Sequence, residues 1–198
     1  MKNNAQLRAK RPASALAGPY GHPFHASLVP VPIGAFVTTL VLDVASRTAG
    51  NGTGYARAAT VTLGVGLAGA LLAAIFGFMD YAQLEKGTKA NRVATTHLVL
   101  NLLVVVALGA SFLARLGSTD REVPMGLLVL TVVSLAVLGV SGWLGGKMSY
   151  RYGVRVADEQ TQAEGFEPMG GLLPPQVSGA GRVDRVPGTN VPTGKSRR

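Results

Sequence analysis

The chain has 198 residues, 47% hydrophobic and only 15% charged, with a formal net charge of +9. Soluble domains carry about 25% charged residues, so the charge here is too thin to coat a water-exposed globule. Cysteine is absent, which excludes disulfides, thiolate zinc sites, cysteine-ligated iron–sulfur clusters, covalently attached haem and a thiol nucleophile.

The first 21 residues carry Lys2, Arg8, Lys10 and Arg11 and read as a disordered cytoplasmic arm. Four apolar blocks follow, at Ala26–Ala45, Ala58–Met79, Val93–Ala114 and Val123–Gly146. A helix rising 1.5 Å per residue crosses a hydrocarbon core of about 30 Å in about 20 residues, and each block is long enough. Inside them stand one acid, Asp43, and one histidine, His97, with no Lys or Arg. The first block is not a cleavable leader: its apolar run exceeds the usual h-region, and it ends in Asp43-Val44-Ala45-Ser46-Arg47 rather than in a small-residue cleavage site.

Short connections make sequential spans neighbours. The expected fold class is therefore an all-α, up-down-up-down four-helix membrane bundle over residues 22–156. Ten Lys and Arg flank the spans on the side of the arm, the second loop and the residues after span four. Four (Arg47, Arg57, Arg115 and Arg121) lie on the other side. The excess places both termini in the cytoplasm and the chain in the inner (plasma) membrane. Residues 157–198, rich in glycine and proline, read as a disordered cytoplasmic tail. The basic flanks set topology and favour anionic lipid headgroups. Aromatic interleaving for nucleic acid is missing. Candidate partners are thus membrane lipids, a redox partner protein and a second copy of the chain, with no nucleic acid.

Small residues mark helix contacts in lipid. Gly69, Ala73 and Gly77 form a seam in span two, Gly142 and Gly146 with Ser141 and Gly145 mark span four, and Ala107/Ser111 and Ala110/Ala114 mark span three. Gly64-Val65-Gly66-Leu67-Ala68-Gly69 matches the dinucleotide fingerprint, but it lies mid-span and not between a strand and a helix start. It reads as packing.

Polar residues sorted by depth give the candidate site. His22, His25, Asp80, His97 and Asn101 come from separate segments yet fall at one membrane level, with Lys147 and Arg151 nearby. Asn101 follows His97 by four residues and shares its face. Intramembrane ionisable groups usually face the bundle interior and mark function. Each also has a plainer role. Asp43 pairs with Arg47 on its own helix, Asp80 with Lys86 or Lys89, and His22 and His25 cap span one. His97 and Asn101 serve as interhelical hydrogen bonds, and Lys147 and Arg151 reach the interface beside Trp143 and Tyr150.

The chemistry open to this set is binding of a b-type haem or a transition metal by His22, His25, His97 and Asp80, with Asp80 alternatively orienting a histidine. A proton relay is the other option. Pro23 argues against a regular helix at His22 and His25. No catalytic triad, glutamate pair or phosphate loop is visible, so no catalytic residue is assigned.

These residues also carry a resemblance. His22-Pro23-Phe24-His25, then Leu28-Val29-Pro30-Val31-Pro32-Ile33-Gly34, Gly77-Phe78-Met79-Asp80, His97 with Asn101 and Arg115, and Trp143-Leu144-Gly145-Gly146 running to Tyr150, Gly153 and Val154 resemble the bacterial integral-membrane family catalogued as domain of unknown function 2231. Ala26 stands where that family's opening motif has a second proline. The resemblance implies a four-span membrane domain of unsettled activity. Relatives joined to Rieske-type iron–sulfur domains imply redox work, yet this cysteine-free chain carries no such domain. The leading expectation is a non-enzymatic membrane protein holding haem or a metal ion and assisting electron transfer. Its rival is a structural or interaction protein without a cofactor; a small transporter ranks third, for want of a broken-helix pair.

Overall fold

A computed structural model of the chain describes residues 4–117 and 122–166. Its long helices are α3 (Pro30–Thr48), α4 (Gly52–Tyr81), α5 (Lys89–Leu116) and α6 (Met125–Gly146), preceded by the short α1 (Asn4–Lys10) and α2 (Phe24–Leu28) and followed by α7 (Glu159–Ala163). With α2 continuing into α3 and a π-turn at Lys147–Arg151 extending α6, four spans run Phe24–Thr48, Gly52–Tyr81, Lys89–Leu116 and Met125–Arg151.

Local chemistry explains the boundaries. The Asn51 side chain accepts from the Gly54 amide to start α4, and Thr88 accepts from Asn91 to start α5, each satisfying an otherwise orphaned N–H. Pro124 precedes α6 and Pro30 opens α3, where a missing N–H costs least. Pro23 likewise caps α2, and the Ser27 amide returns to its carbonyl at 3.3 Å. His25 therefore sits on a regular helical turn, contrary to the expectation that Pro23 would prevent one. The helices also outrun the apolar blocks: the 30 residues of α4 span about 45 Å, enough for the hydrocarbon core and both headgroup layers.

Helix α3 packs on α4 and α6, and α5 on α4 and α6, so the four spans form an up-down-up-down bundle. Phe36, Leu63, Val104 and Leu108 are its apolar centre, with Leu67, Phe112, Leu135 and Leu138 around them. Apart from buried alanines such as Ala59 and Ala73, the remaining interior is largely polar: Thr39, Asp43, Ser46, Ser111, Arg115, Thr131, Ser134 and Ser141 are buried, while Val41, Val61, Leu71, Val106 and Leu113 face outward. That inversion suits lipid, where an outward valine costs nothing and an outward hydroxyl does.

Glycines set the closest approaches. A Cβ on Gly64 would meet Phe112, on Gly66 the Phe36 ring at 2.5 Å, and on Gly69 Val31. The fingerprint-like run is thus three side-chain seats on α4. In span four Gly142 faces open space and Gly146 only the Tyr150 ring at 3.9 Å, so that expected pair is no tight helix contact; Ser141 and Gly145 are where α6 meets α5.

The arm differs from the expectation of disorder. Residues 4–10 are helical, and Ala9 is buried with Leu84, Ala94 and Val154. Ala17 is buried as well. The reason lies far along the chain. The Arg155 amide donates to Ala9 O at 2.9 Å, its guanidinium to Ala17 O and Gly18 O, and the Asp158 amide to the Tyr20 hydroxyl. Residues 157–166 include α7, capped by Asp158; the rest of the expected tail, like Arg121, lies outside the described residues.

Candidate functional site

At the end of the bundle where the arm docks, two imidazoles meet. His25 of α2 and His97 of α5 stand with ring centroids 6.4 Å apart and planes at 90°. Each is tied to a different helix. His25 Nδ1 lies 2.9 Å from Ala73 O of α4, and His97 Nδ1 2.8 Å from Ser141 O of α6. A carbonyl oxygen can only accept, so in both rings Nδ1 carries the donated proton. When neutral, each ring therefore offers its lone pair at Nε2.

Small residues make these positions reachable. Ala73 is buried. A Cβ on Gly77 would stand 2.8 Å from His25 Nδ1, and one on Gly145 3.4 Å from His97 Cε1. The seam expected for helix packing is thus, at Gly77, the seat of an imidazole. Ser141 Oγ adds a second contact to His97 Nδ1 at 3.0 Å. Asn101 donates to His97 O at 2.9 Å and to His97 Nε2 at 3.0 Å.

The other expected members separate. His22 is exposed, and its Nδ1 lies 3.5 Å from Tyr20 O. Asp80 closes α4 and meets Arg155: Nε and Oδ1 are 2.8 Å apart, an ion pair without hydrogen-bond alignment. It also lies within electrostatic reach of His25. Its expected partners Lys86 and Lys89 are displaced by Arg155, which reaches it from beyond span four. Among the described residues no three His, Asp or Glu side chains converge as a metal group. The four-residue metal set is corrected accordingly, because Asp80 turns to Arg155 and His22 stays outside the bundle.

The opposite end holds a second buried pair. Asp43 and Arg115 bond through both carboxylate oxygens at 2.6 and 2.8 Å, with Thr131 donating to Oδ2 at 3.0 Å. Ser111 accepts from Arg115 Nε at 3.2 Å. Arg47, the expected partner of Asp43, instead donates to Val123 O at 2.8 Å. An i,i+4 pair on the bundle surface yields to an interhelical one because Asp43 points inward and Arg47 does not. Equal depth of Asp43 and Arg115 at the same end of spans one and three was the available signal; Arg155 and Lys10 had none, since flanking positive charge is ordinary.

Trp143 and Tyr150 are exposed, with the Lys147 ammonium 5.3 Å from the Trp143 ring centroid.

No curated protein and no solved structure matches the chain significantly. A family profile does: the one described as predicted membrane protein (DUF2231) matches residues 21–158, from the His22-Pro23-Phe24-His25 turn through all four spans to the Arg155 latch. The chain is therefore a four-span membrane protein belonging to the DUF2231 family.

Proposed function

We propose that the protein holds a b-type haem between His25 and His97 and passes electrons at the arm-covered end of the bundle. The observation that carries this is the paired tautomer: two imidazoles from different helices, 6.4 Å apart, each with Nδ1 bound to a backbone carbonyl. That outer bond is what orients a ligating histidine and raises its basicity. His25 and His97 would hold the haem through Nε2, the nitrogen that the two carbonyl bonds leave for a ligand. Bound haem supplies one-electron chemistry; the protein's share is orientation, exclusion of water and charge. Binding requires the Asn101 amide to leave His97 Nε2, while its bond to His97 O can remain.

Redox exchange with a partner protein, a plasma-membrane location and cytoplasmic termini belong to the same proposal. The location and the orientation are supported by the uneven Lys and Arg flanks. Anionic lipids would gather at those flanks, and pairing of two copies of the chain is part of the proposal's scope.

One observation favours a second reading, a cofactor-free structural protein. His97 already satisfies both ring nitrogens through Ser141 and Asn101, as interhelical hydrogen bonds in membranes do. The visible spectrum of detergent-purified protein from haem-replete cells separates the two. Haem binding predicts a Soret band that sharpens on reduction and is lost in His25→Ala and His97→Ala but kept in His22→Ala. A colourless wild type overturns it.

A further inference from the structure

The latch that holds the arm buries more positive than negative charge. Arg155 is 5% exposed and Lys10 6%, against one acid, Asp80, at 8%. Arg155 occupies the left-handed region at φ 58°, a conformation that a non-glycine residue keeps only where its surroundings over-determine it. Its Nη2 donates to Ala17 O at 2.9 Å and Gly18 O at 3.2 Å, and its Nε faces Asp80. Its Nη1 is buried and has no hydrogen-bond partner among the described residues. Lys10 Nζ meets the Ala157 carbonyl at 3.4 Å and lies against Gly153.

A buried guanidinium nitrogen without an acceptor is costly, and a carboxylate is the group that matches its geometry and charge. The latch also adjoins the imidazole pair. Asp80 follows Gly77, the seat of His25, by one helical turn, and it lies within electrostatic reach of both His25 and Arg155.

We propose that Arg155, with Lys10 in the same latch, anchors a carboxylate of the ligand held by His25 and His97, namely a haem propionate. This rests on the haem reading. The arm then has a role in binding: its carbonyls at Ala17 and Gly18 aim the guanidinium, and its Lys10 supplies the second charge.

The test titrates the full-length protein in detergent with haem and with the dimethyl ester of haem, whose propionates carry no charge. Wild type is expected to bind haem about tenfold or more tighter than the ester, the worth of a charge-assisted hydrogen bond. Arg155→Gln should narrow that preference, weakening haem binding by a larger factor than ester binding. Lys10→Gln, which keeps the Arg155 bonds to the arm, should narrow the preference in a protein that folds even if Arg155→Gln does not. Equal affinity of wild type for the two ligands, or equal losses for both in the variants, overturns the anchor and leaves the haem reading standing. Failure of wild type to bind either ligand overturns both.

Discussion

The Asp43 carboxylate and the Arg115 guanidinium, 72 residues apart in the chain, form a two-pronged ion pair with both side chains almost fully buried. Thr131 and Ser111 complete the shell, so α3, α5 and α6 are joined at the end of the bundle away from the histidines. Removing one partner strands a charge inside a low-dielectric interior. Asp43→Ala should therefore destabilise the protein by about 3–5 kcal/mol, read as thermal unfolding in detergent by circular dichroism. The double variant Asp43→Leu/Arg115→Met should recover most of that loss, since it leaves no charge unpaired. A double variant as unstable as the single one would show that the pair is not what holds these helices.

Glycine substitutions should rank by what each Cβ meets. Alanine ordinarily stabilises a helix interior by about 0.5–1 kcal/mol over glycine, and Gly142, facing open space, should show that gain or no change. Gly145→Ala meets His97 at 3.4 Å, an ordinary contact, and should be near neutral; Gly77→Ala meets His25 at 2.8 Å and should be the worst of the three. Thermal midpoints give the order. The order reversed, with Gly142→Ala worst, would mean that the rings are not seated on these glycines.

The arm offers a third test. Gly18 has φ 92°, and a Cβ there would stand 2.3 Å from His22 O. Gly18→Ala should cost about 1–3 kcal/mol and loosen the arm from Arg155. Lys10 is buried in the docked arm, so trypsin should cut after Lys10 slowly in wild type and much faster in the variant. Equal cleavage rates would show that the arm is not held as described.

Topology is directly measurable because the chain has no native cysteine. Single cysteines at Ser14 and Glu164 should react with a membrane-impermeant maleimide from the same side, and one at Gly50 from the other. Accessibility of Ser14→Cys only from outside intact cells would reverse the proposed orientation.

Much of the fold was legible in the sequence, for reasons that lie within each segment. An apolar block long enough to cross a bilayer can be satisfied only as a helix, because lipid offers the backbone no hydrogen bonds; four such blocks with short loops form neighbouring antiparallel spans. Depth was legible too, so His22, His25, Asp80, His97 and Asn101 could be set at one level. Azimuth and partner choice were not. Asp43 chose Arg115 over the nearby Arg47, and Asp80 chose Arg155 over Lys86, because burial on the inward face outweighs closeness in the chain.

The arm makes the same distinction. Its basic, alanine- and glycine-containing residues carry no strong helical pattern, and its order comes from Arg155, more than 130 residues away. The low charge, the missing cysteine and the four spans belong to the sequence alone, since each follows from composition within a window. Which imidazoles face each other, which glycines seat them, and which cations remain buried beside them were decided by tertiary packing. Those relations depend on how separate helices rotate against one another, and no local pattern specifies that rotation.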